Sequence, residues 1–319
     1  AQQDNSAISI ASRGEEGGIG LRDYFSVAGC ENATIAFDPR DPNVTYGGCY
    51  LGQFSRYDRR SRQERDISVT EINWDGWAAK DVRERFQWTF PIHFSPHDPS
   101  TLYTTSQYVW RSKNQGASWD KISGDLTLAD TTTMGRSGGP VSGDMTGTEW
   151  YATIFAFAES PVKAGVLWTG SDDGLVHVST DNGGTWKNVS PKAFGKFTRV
   201  SIIEASPFDA GTAYLAANRY QQDDFSPYLF KTTDYGATWT RIDAGIPAGA
   251  YTRAIRSDVK RKGLLFAGTE TGIYTSFNDG VSWEPLQLNL PRVSVRDIRV
   301  HDNDVIVATH GRAFWAIDD

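Results

Sequence analysis

The stretch "STDNGGTW" (Ser179 to Trp186) is the most informative part of the sequence, because three variants of it recur along the chain. They are "SKNQGASW" (Ser112 to Trp119), "TTDYGATW" (Thr232 to Trp239) and "SFNDGVSW" (Ser276 to Trp283). Their tryptophans are 67, 53 and 44 residues apart. With insertions allowed, this spacing is close to the period of about 40 to 50 residues that repeated four-stranded β-sheets have.

Each copy is predicted to be a hairpin turn, because it separates two short alternating strands such as "LVHVS" and "WKNVS". In such a turn the Asp or Asn accepts backbone amides, the Gly adopts a positive φ, and the Ser or Thr hydroxyl ties the ends together. The Trp is expected to be buried between sheets. The residues given these structural roles are Ser112, Asn114, Gly116, Trp119, Ser179, Asp181, Gly183, Trp186, Thr232, Asp234, Gly236, Trp239, Ser276, Asn278, Gly280 and Trp283.

A second pattern precedes these turns, as in "FSPHDPSTLYTTS" (94–106) and "ASPFDAGTAYLAA" (205–217). A strand ends at the Pro, a polar turn follows, and the next strand ends in small residues. Each unit then has four strands, and such units repeated radially form a β-propeller. We therefore predict an all-β fold, a β-propeller of four-stranded blades, with residues 1–319 as a single domain. Seven blades are predicted, or six if the two end segments share one sheet.

Composition limits the partners. The 32 basic and 39 acidic residues give a net charge of −7 and are spread along the whole chain. This balance argues against nucleic acid and anionic membranes as partners. No stretch approaches the roughly 18 apolar residues of a membrane span, so direct membrane insertion is not expected.

The two cysteines, Cys30 and Cys49, do not have the spacing of a metal or redox motif, and neither a metal nor a cofactor is predicted. They are either bridged, which would suit an extracytoplasmic protein, or two free buried thiols.

The turn "STDNGGTW" resembles the Asp-box, or BNR, repeat of a propeller superfamily that includes sialidases, two-propeller xyloglucanases, sortilin-type receptors and photosystem II assembly factors. With "FDPRDPNVTYGG" and the closing "ATHGRAFWAIDD", the chain most closely resembles bacterial secreted sortilin-like or glycosyl-hydrolase-like two-propeller proteins. The resemblance covers the chain from about Thr34 to its end. It implies a secreted, periplasmic or cell-surface protein, and a propeller that is one part of a longer polypeptide or complex.

Two departures argue against carrying over an enzymatic activity. The sequence has no Arg-Ile-Pro segment of the sialidase type, and its many arginines cannot be assigned to a triad of the sialidase type. The xyloglucanases use one carboxylate from each of two propellers. A single propeller would therefore hold half of such a site.

In a four-stranded meander, the loops between second and third strands lie on the face opposite the repeated turns and closest to the central channel. Polar residues converging there form the default binding-site hypothesis. The long connections 70–90 and 125–153 are expected on the same face, and loops of this length are uncommon without a role. The candidate ligand-binding residues are Asp4, Trp74, Trp77, Arg83, Trp150, Arg219, Glu270, His310 and Arg312, and the candidate catalytic carboxylates are Asp172, Asp173, Asp223 and Asp224.

We expect an extracytoplasmic interaction module that binds a peptide, a protein partner or a glycan on this face. One alternative is a glycoside hydrolase of the xyloglucanase type that uses the acidic residues, completed by a second propeller. The other is a structural or assembly scaffold, whose contacts would lie on the long loops.

Overall fold

The computed structural model describes residues 1, 6–14, 17–30, 34–138, 141–147 and 150–318. The fold is an all-β propeller. Its described residues form six blade sheets, five of four strands and one of three, and each sheet has its strands in chain order. Two small two-stranded sheets accompany the blades. No helix in these ranges is long and apolar enough to cross a membrane.

The chain divides into two compact units, Ala1–Phe155 and Ala156–Asp319. The described residues of the first unit form blades 1 and 2, both small sheets and four short 3₁₀ helices. Its strands are β1 (Ile8–Ile10), β2 (Tyr24–Ser26), β3 (Ile35–Asp38), β4 (Asp41–Gly48), β5 (Phe54–Asp58), β6 (Gln63–Asp66), β7 (Ile92–Phe94), β8 (Leu102–Thr105), β9 (Val109–Ser112), β10 (Asp120–Lys121), β11 (Ser137–Gly138) and β12 (Gly143–Asp144), and its helices are Leu21–Asp23, Tyr50–Gly52, Ala79–Asp81 and Thr131–Thr133.

Blades 3 to 6 follow, and the first strand of blade 3 begins just before the division. The second unit has one 3₁₀ helix, Tyr220–Gln222, among its described residues. The strands are β13 (Ile154–Glu159), β14 (Leu167–Ser171), β15 (Val176–Ser179), β16 (Lys187–Asn188), β17 (Arg199–Ala205), β18 (Ala213–Arg219), β19 (Asp224–Thr232), β20 (Thr240–Arg241), β21 (Thr252–Ser257), β22 (Leu265–Thr269), β23 (Gly272–Ser276), β24 (Glu284–Pro285), β25 (Val295–His301), β26 (Asp304–Thr309) and β27 (Phe314–Ile317).

The described residues form six blades, the lower of the two predicted counts. The higher count required the opening strands to contribute to a seventh blade. Instead β1 and β2 pair with each other, from Ile8 opposite Ser26 to Ile10 opposite Tyr24, and form a separate sheet.

Hydrophobic layers fill the space between consecutive blades within each unit. In the second unit, one layer joins Val176 and Val178 of blade 3 to Val200 and Leu215 of blade 4. The second strands contain small residues because the neighbouring blade leaves no room for larger side chains. A Cβ added at Gly170 would lie 2.4 Å from Cγ1 of Val200, a distance that packed atoms do not tolerate.

The four repeated turns connect the third and fourth strands of blades 2 to 5, as predicted. In each, the Ser or Thr hydroxyl donates to the Asp or Asn side chain at 2.8–2.9 Å and accepts the Gly amide at 2.9 Å. The Gly has φ between 79° and 87°, as its role requires. The residue before it also has a positive φ, of 57–63°, although it is Gln115, Asn182, Tyr235 or Asp279.

Burial of the turn tryptophans is less complete than expected. Trp283 is 5% exposed, whereas Trp119, Trp186 and Trp239 are only half-buried. The short fourth strand that follows each Trp is exposed at both of its residues in all four blades, so this exposure does not by itself set the burial of the ring. The indole N–H of Trp239 still donates to the carbonyl of Val189 at 2.6 Å on the preceding blade.

The two cysteines form a disulfide, which answers the question that the sequence left open. Cys30 and Cys49 are bridged across 19 residues of sequence, with their Cα atoms 5.0 Å apart.

Candidate functional site

Aromatic, arginine and carboxylate side chains come together in the second unit. They lie where the first strands of blades 5 and 6 begin and where the second strands of blades 4 to 6 end. We call this set the tyrosine–arginine cluster. It consists of Tyr220, Tyr251, Arg253, Glu270, Ser294, Arg296 and His310.

Two β-bulges place the arginines. The pairing of β21 with β22 passes from Thr252 opposite Thr269 to Ala254 opposite Gly268, which leaves Arg253 as an extra residue. The pairing of β25 with β26 skips Arg296 in the same way. A bulge bends the strand and redirects the side chain of the extra residue, and such bulges are common next to functional sites. The directions in which the Arg253 and Arg296 side chains point are therefore determined by backbone geometry.

The loops between second and third strands supply a residue opposite each bulge. The amide of Glu270 donates to the carbonyl of Tyr251 at 3.0 Å, and the amide of His310 donates to the carbonyl of Ser294 at 2.9 Å. Blades 5 and 6 thus use the same local arrangement with different side chains.

Arg253 is the centre of the cluster, with a side chain only 9% exposed. Its Nε donates to Glu270 Oε2 at 2.7 Å, and its Nη2 donates to the Tyr251 hydroxyl at 2.7 Å. Ser294 Oγ donates to the same Glu270 oxygen at 2.8 Å. This guanidinium is therefore fixed in place before any ligand arrives.

Aromatic rings form one wall of the cluster. Tyr220 and Tyr251 are stacked, with centroids 5.0 Å apart and planes inclined by 19°. Arg253 lies 4.8 Å from the centroid of Tyr251 and 5.2 Å from that of Tyr220. Phe225 packs against Tyr251 at 6.0 Å and remains 47% exposed. Tyr251 is only 6% exposed, so the apolar surface beside this cation is offered by the half-buried Tyr220 and the exposed Phe225.

Arg296 and His310 form the exposed edge of the cluster. Arg296 Nη2 lies 2.6 Å from His310 Nδ1. The positive charge of Arg296 is the main cause that lowers the pKa of His310, and burial and Arg253 lower it further. At neutral pH His310 is therefore neutral, and Nδ1 accepts the hydrogen bond from Arg296.

The charges of the cluster do not balance. Two guanidinium groups, Arg253 and Arg296, face one carboxylate, Glu270. Burial alone would raise the pKa of Glu270, but hydrogen bonds from Ser294 and Arg253 outweigh it and the pKa is lowered. Glu270 is thus an ionised acceptor rather than a proton donor. The arrangement is suited to binding an anionic group.

Of the predicted ligand residues, the structure brings Glu270 and His310 into the cluster. Arg219 is half-buried at the end of β18, and its Nε has no hydrogen-bond partner among the described residues. Arg312 is exposed, and its carbonyl accepts the indole N–H of Trp315 at 2.7 Å. Asp4 lies outside the described residues.

The predicted catalytic carboxylates differ in burial. Asp172 and Asp173 are only 2% and 3% exposed, and Asp173 accepts the Ser171 hydroxyl at 2.5 Å. They belong to a buried hairpin turn, so a ligand in solvent does not reach them directly. Asp223 is exposed with a φ of 56°. Asp224 accepts the Tyr228 hydroxyl at 2.6 Å; burial would raise its pKa, but hydrogen bonds, led by that of Tyr228, lower it.

The remaining predicted ligand residues lie in the first unit. Trp77 is 49% exposed and meets Trp74 edge to face, with centroids 5.5 Å apart. Arg83 is exposed and pairs with Glu84 at 3.0 Å. Trp150 is fully buried among Met134, Ala79 and their neighbours, so its ring packs the long connections and does not face a ligand.

The sequence interpretation missed five residues of the cluster: Tyr220, Tyr251, Arg253, Ser294 and Arg296. One signal was available, because an arginine stands near the start of the first strand in each of the last three blades: Arg199, Arg253 and Arg296. The bulges that aim the last two have no sequence pattern of their own.

No protein-family model matches the chain, and no curated protein sequence matches it. Solved structures do match. The GH74 xyloglucanase from Xanthomonas campestris is similar over 89% of this chain and 44% of its own, at 21% identity and a TM-score of 0.62. An ancestral GH74 enzyme is similar over 86% and 34%, at 16% identity and a TM-score of 0.55. This chain therefore spans less than half the length of these two enzymes.

A second kind of neighbour is YCF48 bound to D1 peptide, similar over 90% of this chain and 77% of its own, at 12% identity and a TM-score of 0.55. At these identities the likenesses establish the β-propeller fold alone.

Proposed function

We propose that this propeller is an extracytoplasmic interaction module that binds a peptide or protein partner at the tyrosine–arginine cluster. The observation that carries the proposal is the excess of guanidinium charge, Arg253 and Arg296 against Glu270, beside the stacked Tyr220 and Tyr251. A ligand that offers a carboxylate and a flat apolar group would satisfy both features.

The disulfide supports the proposed location. Bridges such as Cys30–Cys49 persist in oxidising compartments and are rare in a reducing cytosol. A secreted, periplasmic or cell-surface protein fits this chemistry.

We also propose that the four repeated turns are Asp boxes and that the chain is one propeller of a longer sortilin-like or glycosyl-hydrolase-like protein. The shared hydrogen-bond pattern of the turns supports the first statement. The coverage of 44% of the xyloglucanase supports the second.

The pKa directions of two carboxylates, Glu270 and Asp224, favour a peptide ligand over hydrolysis of a glycan. A glycoside hydrolase needs one carboxyl group with a raised pKa to act as general acid. Glu270 and Asp224 both have lowered pKa values. The neighbour bound to D1 peptide adds an example of a peptide ligand on this fold.

The test is a parallel screen of the purified chain against a peptide array and a panel of polysaccharides, with product analysis by mass spectrometry. Each peptide is presented with a free carboxyl terminus and as its amide, so that the contribution of the carboxylate is read directly. We expect binding of peptides that carry carboxylates, with no cleavage of any polysaccharide. Cleavage of a polysaccharide would contradict the proposal. So would a peptide without acidic side chains that binds equally well with a free carboxyl terminus and as its amide.

A further inference from the structure

One of the four repeated turns differs from the others at its solvent-facing positions. The second and sixth positions hold Lys113 and Ala117 in blade 2, Thr180 and Gly184 in blade 3, and Thr233 and Ala237 in blade 4. Blade 5 has Phe277 and Val281 instead, which are 52% and 72% exposed.

The fold of this turn does not require these two apolar residues. Its hydrogen bonds are those of the other copies: Ser276 donates to Asn278 at 2.9 Å, and the Gly280 amide donates to Ser276 at 2.9 Å. Since polar or small residues make the same turn in the other blades, the folding of this turn does not account for Phe277 and Val281, and an exposed apolar spot of this kind is a candidate contact surface.

A basic loop lies beside this turn. It joins β21 to β22 and contains three consecutive exposed cations, Lys260, Arg261 and Lys262. The Asp279 amide donates to the Gly263 carbonyl at 2.8 Å, which holds the loop against the turn. The Arg261 guanidinium lies 5.3 Å from the centroid of Phe277.

Two carboxylates beside this loop, Asp258 and Asp279, are already engaged, and Lys260 Nζ donates to Asn303 Oδ1 at 2.7 Å. Asp258 accepts the backbone amides of Lys260 and Arg261. Asp279 accepts the Tyr214 hydroxyl at 2.6 Å and pairs with Lys231. The loop therefore presents positive charge beside an apolar spot, although the chain as a whole carries −7.

We propose that Phe277, Val281, Lys260, Arg261 and Lys262, here called the Phe277 patch, form a docking surface for an acidic segment of a protein partner. Carboxylates of the segment pair with the cations, and an apolar side chain of the segment packs on Phe277 and Val281. The site is separate from the tyrosine–arginine cluster: it lies on the turns between first and second and between third and fourth strands, whereas the cluster lies at the opposite ends of the strands.

Charge complementarity selects this partner. Basic clusters that recognise anionic lipid surfaces typically have about four to eight cations, and the patch has three. An Arg within about 6 Å of an aromatic ring centroid, as Arg261 is to Phe277, forms a cation–π pair of the kind that anchors protein interfaces.

The test uses a fluorescent random copolymer of glutamate and tyrosine, with polyglutamate as the probe that lacks apolar groups. The double substitution Phe277→Thr, Val281→Ala installs the residues of the same turn in blade 4, so folding should be preserved, and thermal unfolding confirms it. Binding is measured by fluorescence anisotropy. We expect this variant to lose about tenfold in affinity for the copolymer while its affinity for polyglutamate stays within about twofold.

Two further measurements separate the alternatives. Arg296→Gln alters the tyrosine–arginine cluster. In this background the double substitution at Phe277 and Val281 should still cause the same loss of affinity for the copolymer, so failure of one site is distinguishable from failure of the other. Vesicles of mixed phosphatidylcholine and phosphatidylglycerol test the lipid alternative. An unchanged affinity of the double variant for the copolymer would overturn the proposal. So would binding to these vesicles that the double variant abolishes, because the patch would then serve a membrane.

Discussion

The hydrogen bond between Arg296 and His310 shows how one residue sets the state of another in this site. Arg296 Nη2 lies 2.6 Å from Nδ1 of His310, and only the neutral imidazole accepts from it. A proton on Nδ1 would place two positive charges in contact. The arginine is therefore held by a neutral histidine as long as the pH stays above the lowered pKa of that histidine.

Removing this charge should change the titration of His310. In Arg296→Gln the main cause of the lowered pKa is gone, so the pKa should rise towards the ordinary value of about 6.5. Burial and Arg253 would still hold it slightly below that value. NMR titration of the His310 ring protons measures the shift. A pKa that does not move would contradict the assigned contact.

Two of the repeated turns, those of blades 4 and 5, make specific contacts with the preceding blade. A Cβ added at Gly280 would lie 2.7 Å from Cδ1 of Ile242, and the indole N–H of Trp283 donates to the Ile242 carbonyl. The turn of blade 4 repeats this arrangement against Val189. The turns of blades 4 and 5 thus join their own blade to the preceding one as well as closing their own hairpins.

Trp283 and Trp186 differ in burial, so removing their rings should have unequal effects on the free energy of unfolding. Trp283→Ala should destabilise by about 3 to 5 kcal/mol, because the ring is 5% exposed and its removal leaves a cavity. Trp186→Ala should cost clearly less, since that ring is half-buried. Chemical denaturation of both variants gives the comparison. Equal losses would contradict the difference in burial.

The turn aspartates should also make stability depend on pH. Hydrogen bonds from Thr185 and Ser179 lower the pKa of Asp181 to about 2, below its ordinary value. Asp181 therefore stabilises the fold above about pH 4, and this contribution is lost as the pH falls towards about 2. Asp181→Asn copies the Asn of the turns in blades 2 and 5. Denaturation curves should show a smaller acid-induced loss for this variant, and parallel losses would argue against the shift.

For the molecule as a whole, the sequence repeats predicted much more of the fold than of the candidate site. The turn spacing indicated the four-stranded blades, because hairpin geometry is local and leaves a pattern in the sequence. The burial of Asp172 and Asp173 is set by tertiary packing, and so it was invisible in "GSDDG". The bulges at Arg253 and Arg296 depend on strand pairing, which the sequence does not encode locally.

The disulfide offers a test at the same scale. Cys30 and Cys49 close a loop of 19 residues, and cross-linking a loop of this length restricts the unfolded chain. Replacing both cysteines by Ser should reduce the free energy of unfolding by about 3 kcal/mol. Calorimetry of the variant and of the parent chain, with and without reductant, measures this effect. A variant as stable as the oxidised parent would contradict it.

The most direct test of the central claim is the dissociation constant of the best peptide from the screen for three proteins: the parent chain, Arg296→Gln and Lys163→Gln. The last removes one exposed positive charge from a loop between first and second strands and is the matched control. We expect Arg296→Gln to weaken binding about tenfold or more, whereas Lys163→Gln should stay within about twofold. Equal affinities for all three proteins would show that the ligand binds elsewhere.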